Sequence, residues 1–527
     1  MRKLRLILFA ALLASCTGGG QQPDSSIPQA MILEVKAGGV KINSIKTVGN
    51  IPVDENFAID VEFSREVTID PVSLAFVQYS GGEMECTQGE NKCFLHFVPK
   101  VKPQSLTKYR FSILGGEGFG VDIIEAFKAE FVTAYDTSDK FERISDDALL
   151  TLVQKQTFKY FWDYAHPVSG LARERLGSDE TVTTGGSGFG IMCLPVGVSR
   201  GFITRDEAAE RMRTIAHFLA YTADRFHGAY PHWLNGTSGK VIPFSAKDNG
   251  GDLVETAFLI EGLLTARAFF DRADEADIRA LIDTIWDSVE WDWYLNGKDV
   301  LYWHWSPSDA WAMNMQIRGW NEAMIVYVLA ASSTTHPIPA SAYHNGWARN
   351  GSMKPSQNGP LFFAHYSFLG MNPHGLKDQY ADYWEQNVAH ARYNYNYCVK
   401  NSAGHAGYSA SSWGLTASDY PGGYTASAPS HDTGTIAPTA ALASMPYLPS
   451  EALEALHTFY YIYGDRLWGE YGFRDAFNLD EAWFASSYIA IDQGPIVVMI
   501  ENYRTGLLWE LFMKNSDVAA GLAKLGF

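Results

Sequence analysis

The sequence predicts a multidomain protein in which an N-terminal β-sandwich precedes a large all-α toroid, a barrel built from paired helices. Between about residues 35 and 135, apolar and polar residues alternate in short runs separated by turn residues, which is typical of sandwich strands. From about residue 141 onward, apolar residues recur at helical spacing in a long series of segments. No parallel-sheet pattern and no solenoid-like repeat interrupts that series.

The composition indicates a folded protein that binds carbohydrate rather than nucleic acid. The 527 residues are too many for one small core, and 46% are hydrophobic against 19% charged. The 15 Trp and 27 Tyr offer flat faces that stack on sugar rings, although a large aromatic core would give the same composition. A net charge of −18, with no basic cluster after the N-terminus, argues against a nucleic-acid partner.

Residues 1–29 are predicted to be a lipoprotein signal peptide and a tether. Basic residues precede the apolar run 6–13, which is too short to span a membrane. The following Leu-Ala-Ser-Cys resembles a bacterial lipobox, so we expect lipidation of Cys16, with ordinary secretion as the alternative. By resemblance to lipoprotein sorting, Thr17 favours the outer membrane, on its periplasmic or cell-surface side.

The first domain, residues 30–136, is predicted to be a β-sandwich. Strict alternation marks two strands, and shorter patterns predict more, at 57–63, 109–113, 40–45, 73–78, 94–98 and 127–133. The segment VEFSREV (61–67) resembles the start of bacterial Ig-like domains. Because the domain carries no cluster of acids, histidines or nucleophiles, we expect a spacer.

The four cysteines after Cys16 lack the spacing of a zinc site, so no metal is predicted. Cys86 and Cys93 flank a hairpin-like turn and would suit a disulfide in an oxidising compartment. Cys193 and Cys398 are expected to be buried, inert thiols.

The second domain, residues 141–527, is predicted to be helical throughout. Ser145 is expected to cap its first helix, and Thr204 with Glu207 forms a capping-box pattern. The turn at residues 249–251 opens a long apolar helix whose first turn carries Asp252 and Glu255 on one face. The predicted helices run over 145–162, 204–226, 252–270, 274–289, 321–332, 377–399, 434–444, 449–463, 495–514 and a short segment ending at 525.

Loops between these helices alternate polar and aromatic side chains, which indicates a sugar-binding cleft at one end of the barrel. Surface decoration is the alternative for any single loop. The Gly-rich segment 183–202, interpreted as another loop, lacks the lysine of a phosphate-binding loop. The residues expected to contact substrate are Arg173, Glu174, Tyr230, His232, Trp233, Asp252, Trp303, His304, Trp305, Trp413, Tyr420, Tyr471 and Asp475.

Several long motifs resemble the glycoamylase-like domain of Bacteroidota lipoproteins, a group that includes the bacterial β-1,2-glucanases of glycoside hydrolase family 144. They are GGDLVETAFLIEGLLTARAFF (250–270), WNEAMIVYVLAASSTTHPIP (320–339), TGTIAPTAALASMPYLP (433–449), YGDRLWGEYGFRDAFN (463–478) and DQGPIVVMIENYRTGLLW (492–509). The resemblance implies an (α/α)6 barrel and cleavage of a β-glucan, most readily β-1,2-glucan, with inversion.

Such hydrolysis requires a protonated carboxylic acid and a second carboxylate that activates water. Glu255 is the expected acid, because it lies in the family's GGDLVET motif and Asp252 would help to raise its pKa. The alternative is that both residues only cap the helix. Asp432 is the preferred base, with Asp419 and Asp475 as further candidates, although Asp432 could instead cap the following helix. Glu174, between two arginines, suits a base or an ion pair.

No organic cofactor is predicted, since no esterase elbow or metalloprotease motif appears. The expected partners are an oligo- or polysaccharide and, through the lipid anchor, a membrane; we expect a monomer. Three alternatives remain open at this point. They are a non-catalytic glycan-binding lipoprotein, a glucoamylase-like enzyme on another glucan, and a lyase or phosphorylase on the same toroid.

Overall fold

The computed structural model describes residues 27–70, 72–347 and 358–527. The predicted lipidation site, Cys16, lies outside the described residues. The chain divides into two compact units. The first contains Ile51–Pro103 and Tyr109–Phe131 together with the preceding residues up to Thr47, and the second contains Val132–Phe527 with two short N-terminal pieces.

The N-terminal region consists of strands, as predicted. They are β1 (Gln29–Ala30), β2 (Ile32–Ala37), β3 (Val40–Lys41), β4 (Val48–Ile51), β5 (Ile59–Phe63), β6 (Val77–Tyr79), β7 (Met84–Gln88), β8 (Phe94–Pro99), β9 (Lys108–Ile113), β10 (Gly116–Gly118), β11 (Val121–Ile123) and β12 (Phe127–Thr133). They pair in the orders β3-β2-β5-β8-β7, β4-β12-β9-β6 and β1-β11-β10. Phe97 of the first sheet and Phe111 of the second have ring centroids 5.7 Å apart, so the two inner faces share a core.

Two details of this region differ from the sequence-based expectation. Residues Ser73–Phe76 form a 3₁₀ turn rather than the start of a strand, because the Asp70 carboxylate accepts the backbone N–H of Val72 and of Ser73, each at 2.9 Å. Cys86 and Cys93 are free thiols, and burial raises the pKa of Cys86 to about 11.

The second unit is mainly helical, which confirms the predicted class. Its helices are α1 (Asp146–Trp162), α2 (Thr184–Ser199), α3 (Arg205–Tyr221), α4 (Leu253–Phe269), α5 (Ala276–Asp287), α6 (Met324–Ser332), α7 (Ala340–Trp347), α8 (Tyr383–Lys400), α9 (Pro438–Leu442), α10 (Pro449–His457), α11 (Gly464–Leu467), α12 (Ala490–Arg504), α13 (Leu507–Met513) and α14 (Ser516–Leu525). None of the described helices is both long enough and apolar enough to cross a membrane.

The connections between the helices contain short strands that pair with one another. They are β13 (Thr181–Thr183), β14 (Trp233–Asn235), β15 (Val241–Ile242), β16 (Gly251–Asp252), β17 (His304–Trp305), β18 (Ala417–Tyr420), β19 (Gly423–Ala426), β20 (Trp468–Gly469), β21 (Gly472–Phe473), β22 (Phe477–Asn478) and β23 (Trp483–Phe484). Each belongs to a two- or three-stranded ribbon, and these ribbons carry several of the side chains discussed below.

The predicted helix caps are present. Ser145 accepts the backbone N–H of Ala148 at the start of α1, and Thr204 forms a complete capping box with Glu207 at the start of α3. The predicted helix 495–514 is two helices, because Gly506 has a φ of 74° and ends the turn after α12. The Asn502 side chain then accepts the N–H groups of Leu508 and Trp509 at the start of α13.

The interpretation of residues 183–202 as a loop is wrong, because Thr184–Ser199 form the buried helix α2. Its glycines pack against α4. A Cβ atom at Gly188 would collide with the carbonyl of Phe258, and one at Gly262 would collide with the carbonyl of Gly188. The two helix backbones therefore touch, a packing that outweighs the low helix propensity of glycine.

The core of this unit lies around α2, which packs against both α4 and α12, and all three helices are buried along nearly their whole lengths. Outer helices are instead amphipathic. Helix α5, for example, buries Ile278, Ile282 and Ile285 and packs against α3. An inner layer of apolar helices is thus surrounded by half-exposed ones, and the inner helices begin at the cavity described next.

Candidate active site

A cavity of about 400 Å³ opens at the N-terminal ends of α2 and α4. Its walls combine carboxylates with aromatic rings, which is the composition of a site for a sugar chain. The residues that line it are Glu174, Arg175, Thr183, His232, Trp233, Phe244, Val254, Glu255, Phe258, Trp303, Glu322, Phe362, Tyr366, Ala417, Tyr424, Ile489 and Ile491.

Helix α4 brings Asp252 and Glu255 to this cavity. Asp252 is the N-cap residue, and its Oδ1 accepts the N–H groups of Val254 and Glu255, each at 2.9 Å. Its other oxygen accepts the indole N–H of Trp303 at 3.1 Å. Both carboxylate oxygens of Asp252 therefore accept hydrogen bonds behind the cavity wall. Of the two residues, Glu255 is the one whose carboxyl group lines the cavity.

Glu255 has the surroundings of a protonated acid. Burial raises its pKa, the positive charge of His232 opposes that rise, and the negative charge of Asp252 adds to it. Its Oε2 accepts the backbone N–H of Gly185, in the first turn of α2, at 2.7 Å. A buried carboxylic acid at a cavity wall is the group that glycoside hydrolysis requires for protonating the leaving oxygen.

His232 lies beside Glu255 and in front of two aspartates. Its Nε2 is 3.9 Å from Glu255 Oε1, and its Nδ1 is 3.4 Å from Asp252 Oδ2 and 3.9 Å from Asp248 Oδ2. Burial alone would lower the pKa of His232, but the charges that these three carboxyl groups carry when ionised outweigh it and raise the value to about 9. Asp248 in turn lies 3.4 Å from His304 Nε2.

The ligand atoms of His232, Asp248 and Asp252 lie within 4.8 Å of one another, close enough to surround a cation. A cation there would stabilise the anion of Glu255 and so remove the proton that an acid must hold. We therefore interpret His232, Asp248 and Asp252 as a cluster that binds protons rather than a cation.

Arg175, on the cavity wall, holds a second pair of carboxyl groups, of which Glu174 lines the cavity and Asp419 lies behind it. Its Nε donates to Glu174 at 2.9 Å, and its Nη1 lies 3.2 Å from both oxygens of Asp419. Asp419 also accepts the hydroxyl of Ser487 at 2.5 Å. The guanidinium thus holds both carboxyl groups in place through charged hydrogen bonds.

Asp475 lies behind this set and accepts the backbone N–H of Asp419 at 2.6 Å. Burial raises the pKa of Asp475 to about 7, and burial together with the charge of Asp475 raises that of Asp492 further. These two acids stay within the interior, so they support Asp419 rather than face the cavity.

The structure brings five of the predicted site residues to the cavity wall, namely Glu174, His232, Trp233, Glu255 and Trp303. Asp252, His304, Asp419 and Asp475 lie directly behind these residues. Tyr420 lies on the β18–β19 hairpin, whose Ala417 and Tyr424 reach the cavity.

The remaining predicted contacts lie elsewhere and have structural roles. Arg173 donates to the carbonyls of Asp179 and Tyr164, and Tyr230 is fully buried with its hydroxyl on the carbonyl of Leu219. Trp305 packs on His227, Trp413 donates to the carbonyl of Glu451, and Tyr471 packs among other tyrosine rings. Aromatic loop residues alone therefore did not distinguish the cavity from the core.

Asp432, the preferred base at the level of sequence, does not line the cavity. Its oxygens accept the hydroxyls of Tyr397 at 2.9 Å and Tyr408 at 2.5 Å and the backbone N–H of Gly434 at 2.9 Å. The helix expected at Gly434 begins at Pro438, so Asp432 holds a turn rather than a helix end.

Several cavity residues were not among the site residues expected from the sequence, chiefly Glu322, Arg175, Phe244, Tyr366 and Tyr424. Glu322 precedes α6 inside a motif that was interpreted as helix alone. Burial raises its pKa to about 7, with the charges of Glu255 and Asp252 adding to the effect. The available signal was an acidic residue at the start of an apolar helix: Glu322 lies two residues before α6, and Glu255 lies in the first turn of α4.

Comparisons with known proteins identify relatives of this chain. A family model described as putative glucoamylase matches residues 314–516. An exo β-1,2-glucooligosaccharide sophorohydrolase (non-reducing end) of Parabacteroides distasonis is 46% identical over 420 residues, covering 72% of this chain. The chain spans 58% of the length of that curated relative.

Solved structures are similar over most of the chain. A putative glucoamylase from Bacteroides uniformis is 55% identical, with 73% of this chain and 98% of that one covered and a TM-score of 0.71. An endo-β-1,2-glucanase from Chitinophaga pinensis is 51% identical, with 73% of this chain and 99% of that one covered and a TM-score of 0.71. A β-1,2-glucanase from Parabacteroides distasonis is 36% identical, with 95% of this chain and 73% of that one covered and a TM-score of 0.71. The chain therefore belongs to the glucoamylase-like family of bacterial proteins that contains these β-1,2-glucanases.

Proposed function

We propose that this chain is a glycoside hydrolase that cleaves β-1,2-linked glucan, with Glu255 as the general acid. The observation that carries the proposal is the buried Glu255 carboxyl at the cavity wall, whose pKa is raised by burial. The substrate class is supported by the relatives from Parabacteroides distasonis and Chitinophaga pinensis, whose names specify β-1,2-glucans.

The general base is drawn from Glu174 and Asp419, the two carboxylates that Arg175 holds. Glu174 is our first choice because it lines the cavity together with Glu255. In an inverting reaction it would accept a proton from the attacking water while Glu255 protonates the leaving oxygen. The products would first appear with the α configuration.

The aromatic rings on the cavity walls suit a glucan chain. Trp233, Trp303, Phe244 and Tyr424 offer faces for sugar rings, while the carboxylates and Arg175 offer partners for hydroxyl groups. A site of this kind needs neither a metal nor an organic cofactor for the two-carboxylate reaction.

We further propose that the helical unit is an (α/α)6 toroid and that the N-terminal sheets form an Ig-like sandwich that acts as a spacer. The inner layer of apolar helices supports the first assignment, and the contact between Phe97 and Phe111 supports the second. The lipobox at Cys16 supports an anchor in the outer membrane, on its periplasmic or cell-surface side, and we propose that the anchored protein is a monomer.

The direct test is product analysis of the purified chain from residue 22 onward with β-1,2-glucan, β-1,3-glucan and starch. We expect β-1,2-linked oligosaccharides from the first substrate alone, with product lengths that distinguish endo from exo cleavage. Glucan binding without release of reducing ends would indicate a non-catalytic binding protein. Cleavage of starch alone would contradict the proposed linkage.

A further inference from the structure

The imidazole of His232 lies between the carboxyl of Glu255 and a pair of aspartates. One ring nitrogen, Nε2, faces Glu255 Oε1 at 3.9 Å. The other, Nδ1, faces Asp252 Oδ2 at 3.4 Å and Asp248 Oδ2 at 3.9 Å. The ring is fixed in this plane because it stacks on Phe244, with centroids 4.1 Å apart and an interplanar angle of 14°.

Access to solvent differs between His232 and Glu255. The side chain of His232 is 23% exposed, whereas that of Glu255 is 11% exposed. Glu255 Oε2 is already occupied by the backbone N–H of Gly185, so Oε1 is the oxygen that exchanges protons. That oxygen faces the cavity and His232, and a glucan chain in the cavity would exclude water from it.

An acid that has donated its proton to the leaving oxygen must regain one before the next turnover. We propose that His232 returns this proton to Glu255, acting as a positioning and proton-storing residue beside the acid. The inference rests on the proposed hydrolase function. In this step the Nε2–H bond of the imidazolium breaks, and an O–H bond forms at Glu255 Oε1. Neutral Nδ1–H imidazole and a neutral carboxylic acid remain, and water reprotonates Nε2 when product leaves.

The surrounding charges suit such a step. Asp248 and Asp252 stabilise the imidazolium from the Nδ1 side, and His304 in turn contacts Asp248. Glu322 lines the same cavity, and burial raises its pKa to about 7. Neither His232 Nδ1 nor Asp248 Oδ1 makes a hydrogen bond in the described structure, so both can take part in a contact that tightens when substrate binds.

The test uses His232→Ala and His232→Gln, with His227→Gln as the matched control, because His227 stacks on Trp293 and pairs with Glu290 outside the cavity lining. On β-1,2-glucan we expect kcat of both His232 variants to fall about ten- to a hundredfold. We expect kcat/KM to fall less, since the first cleavage uses a proton already on Glu255. Added imidazole should restore kcat of His232→Ala in a concentration-dependent manner.

A role in structure or in substrate contact gives a different pattern. An unchanged kcat, or equal losses in kcat and kcat/KM without rescue by imidazole, would overturn the proposal that His232 returns the proton to Glu255. His232→Gln keeps a polar side chain of similar length, so the kcat comparison can still be made if His232→Ala does not fold.

The proton return by His232 and the hydrolase function can be rejected separately. If the wild type is active, Glu255→Gln is inactive and His232→Gln is unaffected, the hydrolase function is retained and the proton return by His232 is rejected. A wild type that does not cleave β-1,2-glucan would reject both.

Discussion

Glu255 Oε2 accepts the backbone N–H of Gly185 at 2.7 Å, so the first turns of α4 and α2 meet at one carboxyl group. The N–H and the positive end of α2 stabilise the anion that remains after proton donation, while burial stabilises the acid before it. This contact also fixes one oxygen and leaves the other free to face substrate.

Replacing Glu255 with Gln should abolish cleavage of β-1,2-glucan while leaving the fold intact, because the amide keeps the shape but cannot donate the acid's proton. We expect a loss of about 10²- to 10⁴-fold in kcat. A β-sophorosyl substrate with a fluoride leaving group needs no protonation, so it should still be cleaved. Loss of activity on both substrates would contradict the role of Glu255 as the acid.

Cleavage of the polymer should decline as the pH rises through the pKa of Glu255. The acid is active only when protonated, and burial raises the pKa, so activity persists to higher pH than an ordinary glutamate would allow. His232 opposes the rise, whereas the negative charge of Asp252 disfavours the anion. In His232→Gln the basic limb of the kcat/KM profile should therefore move to higher pH. A limb that stays fixed would show that another group titrates there.

Gly185→Ala should impair catalysis through position alone. A Cβ atom at residue 185 would lie 2.6 Å from Glu255 Oε2 and 3.0 Å from the Phe258 ring, so the carboxyl must move. We expect activity to fall about a hundredfold, with the secondary structure retained in circular dichroism. Gly404→Ala is the control, because its nearest contact would be an ordinary 3.4 Å. Full activity of Gly185→Ala would mean that the position of this oxygen is unimportant.

Variants of the carboxylates should separate the base from structural groups. Glu174→Gln should reduce activity on the polymer and on the fluoride substrate alike, because water activation is needed for both. Azide, a nucleophile that needs no base, should restore turnover of the fluoride substrate.

Asp432→Asn should instead lower stability, because it weakens the hydrogen bonds from the Tyr397 and Tyr408 hydroxyls, and it should leave the pH profile of activity unchanged. Rescue of Asp432→Asn by azide would restore that residue as the base.

Glu261 should make stability depend on pH. It is fully buried, its Oε1 accepts the N–H groups of Gly370 and Met371, and burial raises its pKa to about 8. Between the unfolded value of 4.5 and about 8, the unfolded state has lost a proton that the folded state keeps, so stability falls as pH rises. In Glu261→Gln the slope of the unfolding free energy over this window should be shallower by up to about 1.4 kcal/mol per pH unit. Equal slopes in urea unfolding would contradict this assignment.

Local signals predicted much of the helical unit. Caps such as Ser145 and the Thr204–Glu207 box act within a few residues, so the sequence alone identifies them. Helix α4 and its Asp252–Glu255 pair were identified for the same reason. Glu261 lies deeper in the same helix, where its Oε1 accepts the N–H groups of Gly370 and Met371.

The remaining features depend on contacts between distant segments. The glycines of α2 favour a loop when considered alone, and only close packing against Gly262 of α4 makes a helix the better solution. The clamp that Arg175 forms on Asp419 joins residues 244 positions apart. Asp432 was preferred because it precedes an expected helix, whereas its two tyrosine partners come from separate segments of the fold.

The most direct measurement is proton NMR of the reducing-end anomers released from β-1,2-glucan in the first minutes, with wild type and Glu255→Gln compared. The account predicts α-anomers of β-1,2-linked oligosaccharides from the wild type and no release by the variant. First products with the β configuration would contradict the inverting arrangement of Glu255 and Glu174. Release by Glu255→Gln at the wild-type rate would contradict the central claim that Glu255 is the acid.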